Sequence, residues 1–201
     1  MKFKLFVAVA ASLLSSASLA ATVQYAGGSG QRSLGVFNYD PLGQIFTATT
    51  DNALTSFGFQ LQTLNAGDTN NALTFTLLSG SGTGGSVIAT RNVTVSGIPA
   101  TRTPTWFDFD LTGTTLVTGQ TYTALLSGDS TRYGLVYGPD INLFSGAPLA
   151  GDAYAGGRLF ATNLGPNAPC DAGLCDANFR FTATPGAAPA VPEPASWALL
   201  I

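Results

Sequence analysis

Histidine is absent from the 201-residue sequence, which also contains only two lysines and one glutamate. Without histidine, a Ser-His-Asp catalytic set in its usual form is excluded. The scarcity of Lys and Glu removes two strong helix formers. Charged residues make up 9% of the chain, whereas about 25% is typical of soluble domains. Gly, Ser, Thr, Asn and Ala take their place, and abundant Thr, Val and Phe favour strands.

The N-terminal twenty residues are typical of a secretory signal peptide. Lys2 and Lys4 give a basic start, an apolar stretch follows at residues 5–14, and small residues stand at Ser18 and Ala20. This order of three regions predicts export and cleavage between Ala20 and Ala21.

Removal of that signal would make the chain more acidic. Without its two lysines the basic residues fall from 8 to 6 against 11 acidic ones, so the net charge moves from −3 to −5. No basic patch remains to hold phosphates or an anionic membrane surface. We therefore expect no nucleic-acid partner.

The two cysteines, Cys170 and Cys175, lie close together in "PCDAGLCD". An exported chain meets an oxidising compartment, so this pair predicts a disulfide. The closed loop would be very small, and we expect it to fix one loop rather than the whole fold. A metal site would need further ligands, and the absence of histidine argues against one.

Apolar residues recur at every second position in several short segments between Thr22 and Thr184, which predicts strands with one buried face. The inward-facing residues in these segments are Phe57, Phe59 and Leu61; Leu73, Phe75 and Leu77; Phe107, Phe109 and Leu111; and Phe179 and Phe181. Turn-forming stretches such as "NAGDTNN" and "GSGTGG" separate the segments.

About ten such strands without an amphipathic helix predict an all-β domain at residues 21–184, an antiparallel sandwich of two sheets. A jelly-roll-like arrangement is the first prediction, and an immunoglobulin-like sandwich is the alternative. Residues 185–194 form a Pro/Ala-rich linker that favours an extended conformation.

The C-terminal stretch "VPEPASWALLI" resembles the opening of a PEP-CTERM sorting signal, with Val191, Pro192, Glu193 and Pro194 as its motif. The resemblance implies a Gram-negative bacterium that makes exopolysaccharide, and processing by an exosortase-type enzyme. In that family a transmembrane helix and an Arg-rich end follow. Here only residues 195–201 remain of the apolar segment, and a spanning helix needs about 20 residues. We therefore expect a truncated signal, with membrane contact only through the missing helix.

Gly80, Gly82 and Gly85 have the G-x-G-x-x-G spacing of a dinucleotide-binding loop. That chemistry requires a helix next, whose N-terminus faces the pyrophosphate. The following "SVIATRNVTV" favours a strand instead, so we interpret the glycines as a hairpin loop.

Trp106, Asp108 and Asp110 alternate with the inward-facing residues of one predicted strand, so they should share its outer face. An exposed aromatic ring with neighbouring hydrogen-bonding groups is typical of sugar-binding sandwiches, and Tyr133 or Tyr137 could join this face. The alternative is a glycoside hydrolase that uses the Asp pair. A simpler interpretation is a polar surface whose like charges limit edge pairing.

Acidic residues in predicted loops could bind calcium through oxygen ligands. They are Asp68, Asp140, Asp152, Asp171 and Asp176. No complete ligand motif occurs, so we expect no resident metal, cofactor or catalytic residue, with calcium as the open alternative. The sequence thus predicts a non-catalytic, exopolysaccharide-associated surface or matrix protein, located in the periplasm, on the outer surface or in the extracellular matrix. A carbohydrate-binding module is the first alternative.

Overall fold

Two antiparallel β-sheets packed face to face form the molecule in the computed structural model, which describes residues 19–49, 52–163, 170 and 173–185. The first sheet comprises β1 (Ala21–Tyr25), β2 (Ser33–Gly35), β4 (Asn52–Thr63), β7 (Thr105–Leu116), β9 (Tyr133–Gly138), β11 (Asp176–Ala177) and β12 (Phe179–Pro185). The second sheet comprises β3 (Leu42–Thr47), β5 (Ala72–Ser79), β6 (Val87–Thr94), β8 (Thr121–Ser127) and β10 (Arg158–Ala161). The predicted all-β sandwich is confirmed.

Strand β4 is the centre of the first sheet. It pairs with β7 along one side, and with β12 and then β9 along the other. Strand β1 adds to the free side of β12, while β9 carries β2 and β11. The second sheet has the order β10-β3-β8-β5-β6. The chain changes sheet eight times, between β2 and β3, β3 and β4, β4 and β5, β6 and β7, β7 and β8, β8 and β9, β9 and β10, and β10 and β11.

Aromatic rings from both sheets fill the space between them. Phe57 and Phe59 of β4 are fully buried, as the period-two pattern predicts. The ring of Phe57 lies 5.4 Å from that of Phe46 in the second sheet and 5.8 Å from that of Phe179 in the first. Each buried aromatic side chain removes about 150–250 Å² from water, so this cluster contributes a large apolar area to the packing between the sheets.

The glycine-rich segment is the hairpin loop that the sequence indicates. It joins β5 to β6 through a short 3-10 turn at Gly82–Gly84, and a strand rather than a helix follows. Gly80 and Gly82 have φ of 83° and 74°, a region that favours glycine. Thr123 fastens the loop by accepting from the Gly82 N–H (2.9 Å) and donating to the Gly80 carbonyl (2.8 Å).

The disulfide between Cys170 and Cys175 is confirmed. Cys175 is buried, and its carbonyl accepts a hydrogen bond from the Leu159 N–H of β10 at 2.7 Å. The bridge therefore fixes the segment that leads directly into β11.

Both ends of the sandwich domain lie side by side. Ala21, the residue after the predicted cleavage position, is the first residue of β1 and pairs with Ala183 of β12. The predicted signal sequence before Leu19, the predicted sorting motif Val191–Pro194 and residues 195–201 lie outside the described residues. In the part that is described, no helix is long and apolar enough to cross a membrane.

Candidate functional site

The outer face of the first sheet carries the three residues that the sequence predicts together. Along β7, Asp108 and Asp110 are exposed and Trp106 is half-buried, whereas Phe109 and Leu111 between and beyond them are buried. The alternation follows from the strand period of two. Trp106, Asp108 and Asp110 therefore share one open surface.

Asp108 reaches across the central strand to bind Arg180 of β12. Gly58 of β4 lies between them, paired with Asp108 on one side and with Arg180 on the other. A Cβ atom on residue 58 would lie 2.1 Å from Asp108 Oδ1, so only glycine leaves room for the carboxylate. Arg180 Nε donates to Asp108 Oδ1 at 2.8 Å, and Nη2 donates to Oδ2. The pair is bidentate, the strongest arrangement of these two groups.

Trp106 completes this group, because the guanidinium carbon of Arg180 lies 4.8 Å from the centre of its indole ring. A cation at this distance is attracted to the ring face. Arg180 is 26% exposed and Asp108 is 39% exposed, so both remain accessible from solvent. We call Trp106, Asp108 and Arg180 the Trp106 cluster.

Asp110 belongs to a separate local structure. Its Oδ1 accepts hydrogen bonds from the Thr112 N–H at 2.9 Å and the Thr112 hydroxyl at 2.7 Å. These bonds hold the pKa of Asp110 below its ordinary value. Its carbonyl accepts from Arg91 Nε of β6, which links the two sheets at this edge. The two aspartates of β7 thus have different partners and do not form a cooperating carboxylate pair.

Amide side chains border the Trp106 cluster. Gln60 of β4 is paired with Trp106, and its Oε1 accepts from Asn178 Nδ2 at 2.7 Å. Asn178 also accepts from the Gly28 N–H (3.0 Å) and donates to the Gly28 carbonyl (2.7 Å). This network fixes the loop after β1 next to the cluster, so the surrounding surface is ordered by hydrogen bonds as well.

Sequence reasoning did not identify Arg180 and Gly58 as members of the site. The alternation in "NFRFTA" does predict that Arg180 faces outward, and that was the available signal. Its pairing with Asp108 requires the order β12-β4-β7, which joins residues 72 positions apart.

The expectation that Tyr133 or Tyr137 joins the exposed face is wrong. Tyr133 is 2% exposed, and its hydroxyl donates to Asn71 Oδ1 at 2.7 Å. Tyr137 is 8% exposed, and the guanidinium carbon of Arg32 lies 4.3 Å from its ring centre. Both point into the sandwich because they lie on the same side of β9 as Leu135, a core residue.

Of the acidic residues considered for calcium, Asp152 and Asp176 lie close together, because both accept from the Tyr154 N–H. Asp68 and Asp140 have other partners. Asp68 caps a turn by accepting from the N–H and hydroxyl of Thr131, and Asp140 accepts from the Ser29 N–H. Asp171 lies outside the described residues. Asp176 was expected in a loop, but it lies in β11, where it is only 1% exposed. Across the described ranges, no group of three or more Asp, Glu, Cys or His residues could hold a metal ion.

No protein-family model matches this chain, and no curated protein is significantly similar to it. The chemistry of the site therefore has to be judged from its own side chains. The Trp106 cluster combines an aromatic ring, a fixed cation and a fixed carboxylate on an open sheet face. Such a surface can bind a polar ligand with apolar patches.

Proposed function

We propose that this protein is an exported, non-catalytic surface or matrix component that contacts polysaccharide through the Trp106 cluster. The observation that carries the proposal is the half-exposed indole of Trp106 beside the bidentate Asp108–Arg180 pair. Sugar rings combine apolar C–H faces with hydroxyl groups. An aromatic ring with adjacent donors and acceptors complements both features.

The cluster is ordered before any ligand arrives. Asp108 and Trp106 hold the Arg180 guanidinium from two directions, so a ligand need not immobilise this long side chain. Arginine has five N–H donors, and the two bonds to Asp108 leave about three for ligand hydroxyls. Hydroxyl groups could also donate to the free lone pairs of Asp108.

Export is supported by two independent features. The signal-like N-terminus predicts it, and the Cys170–Cys175 disulfide is of the kind that persists in oxidising compartments. The resemblance of Val191–Pro194 to a PEP-CTERM motif adds an exosortase-type processing enzyme as a partner and exopolysaccharide as the surroundings. Mass spectrometry of the mature protein from its native host would test the processing: we expect an N-terminus at Ala21.

Two other functions make use of the same surface. A carbohydrate-binding module with one definite ligand would use the Trp106 cluster in the same way and differ in its selectivity. A glycoside hydrolase would need one carboxyl group as a general acid. Asp108 is bound to Arg180, and hydrogen bonds lower the pKa of Asp110. The binding functions therefore fit the geometry better than hydrolysis does.

Retention on immobilised cellulose, dextran and alginate tests the proposal. We expect the wild type to be retained on at least one of them, and Trp106→Ala to weaken binding about tenfold, which corresponds to roughly 1.4 kcal/mol. Phe144→Ala is the matched control, because it removes a fully exposed aromatic ring elsewhere. Equal retention of Trp106→Ala and wild type would reject the assignment of this face.

A further inference from the structure

The segment between β9 and β10, residues 139–157, is a long surface loop with an exposed apolar part. Leu143, Phe144 and Leu149 in it are all largely exposed. Asp140 fastens its beginning by accepting from the Ser29 N–H. Its other end is held by a single buried residue, Tyr154.

Tyr154 attaches the loop to both sheets. Its hydroxyl donates to the Thr47 carbonyl at 2.9 Å and accepts from the Thr47 N–H at 3.0 Å. Its ring lies 4.4 Å from that of Tyr25 and 5.3 Å from that of Phe179. Its backbone N–H is shared by two carboxylates, Asp152 Oδ1 at 2.8 Å and Asp176 Oδ2 at 3.0 Å.

The surroundings of Asp176 have little freedom to rearrange. Gln44 Nε2 donates to Asp176 Oδ1 at 2.7 Å, and Gln44 Oε1 accepts from the Ala177 N–H at 2.8 Å. The amide cannot rotate without losing both bonds. The two oxygens of Asp176 thus already accept from Gln44 and Tyr154. Asp152 accepts from the same Tyr154 N–H, and this shared donor brings the two carboxyl groups together. A hydrogen bond between two carboxyl groups requires a proton on one of them.

No cation neutralises this pair within the described residues. The neighbouring residue Gln44 of β3 is uncharged, Arg158 of β10 is exposed, and Arg32 lies over the ring of Tyr137 in β9. The remaining polar neighbours are the phenols of Tyr154 and Tyr25, and burial raises the pKa of Tyr154 above its ordinary value. Burial and, after it, the adjacent Asp152 raise the pKa of Asp176 to about 7.

We propose that Asp152 and Asp176 form a proton-dependent latch that closes the 139–157 loop on the sandwich. With one shared proton the two carboxyl groups attract each other and hold the end of the loop. When the proton leaves, two like charges face the single N–H of Tyr154. Asp152, the exposed partner, then turns to solvent and the loop loosens. The latch is independent of polysaccharide binding.

Asp152→Asn tests the latch most directly. The amide Oδ1 can still accept from the Tyr154 N–H, and Nδ2 can donate to the Asp176 carboxylate, so the loop should stay closed at every pH. Asp129→Asn is the matched control, an equivalent change at an exposed aspartate distant from the pair in sequence. The measurement is hydrogen exchange of peptides covering residues 139–157, corrected for the intrinsic pH dependence of exchange.

We expect wild type and Asp129→Asn to lose about tenfold in protection between about pH 6 and pH 8.5, and Asp152→Asn to lose none. Constant protection in the wild type, or the same loss in Asp152→Asn, would overturn the latch. Carboxyl ¹³C titration of the wild type gives a second test that needs no variant. We expect one aspartate to titrate near neutral pH, and titration of every aspartate below about pH 5.5 would contradict the shared proton.

Discussion

Replacing Gly58 by alanine would separate the geometry of the Trp106 cluster from the stability of the sheet. The added Cβ would lie 2.1 Å from Asp108 Oδ1, 3.1 Å from its Cγ and 3.2 Å from the Phe107 carbonyl oxygen. The closest atom is the end of an exposed side chain, which can move away. The backbone atom is near enough to require only a small adjustment. We therefore expect Asp108 to leave Arg180 while β4 and β7 stay paired.

Two opposing effects set the change in the free energy of unfolding. An ion pair this exposed contributes about 0.5–1 kcal/mol, and its loss destabilises the variant. Alanine in a strand interior is favoured over glycine by about 0.5–1 kcal/mol. The two nearly cancel, so Gly58→Ala should unfold within about 0.5 kcal/mol of the wild type.

Urea denaturation of four proteins in a double-mutant cycle tests this reasoning. Asp108→Ala should weaken the wild type by the energy of the pair and should cost almost nothing in the Gly58→Ala background, where the pair is already broken. Gly84→Ala is the control, because its added Cβ would meet no atom within 4 Å. A loss above about 2 kcal/mol in Gly58→Ala would refute the reasoning, since it would mean that the backbone and not the carboxylate has to move.

Two further predictions concern stability. Phe57→Ala should lower the free energy of unfolding by about 3–5 kcal/mol, because its ring is fully buried between the sheets; a loss below about 1 kcal/mol in urea denaturation would contradict the packing. The pKa of Asp176 rises from 3.8 to about 7 on folding, so the folded state favours its protonated form. The resulting gain in the free energy of unfolding is complete below about pH 4 and is lost as the pH rises through about 7. The full shift corresponds to at most about 4 kcal/mol. Since Asp152 is exposed, we expect about 2 kcal/mol between pH 5 and 8, and an unchanged free energy of unfolding would be inconsistent with the shift.

Local sequence pattern was sufficient to predict the strands with one buried face. In β7, Phe109 and Leu111 enter the core and the residues on either side of them meet solvent, so the period of two is visible. Strand β9 is different because all its residues are buried. Gly134 and Gly138 have no side chains, and Leu64 and Gly27 pack closely against them. With both faces covered, the pattern could not show that Tyr133 and Tyr137 point inward.

The two groups of charged residues were harder to predict because their partners are distant in sequence. Asp108 meets Arg180 only across Gly58, which depends on strand order. Asp176 follows Cys175 in a segment that has the composition of a turn. Its burial depends on Gln44, a residue 132 positions away that faces inward from β3. Composition alone gave no reason to expect a glutamine inside the sandwich.

Because ionisable residues are scarce, few groups other than the Asp152–Asp176 latch can change charge near neutral pH. Histidine, whose ordinary pKa lies near 6.5, does not occur in the sequence, and both cysteines are in a disulfide. Apart from the amino terminus, no group with an ordinary pKa between 6 and 8 remains. Neutral Thr, Ser, Asn and Gln side chains make most of the side-chain hydrogen bonds, and these do not titrate there. A conformational change of this domain near neutral pH therefore has to come from a carboxyl group with a raised pKa, and burial against Gln44 beside Asp152 gives Asp176 that property.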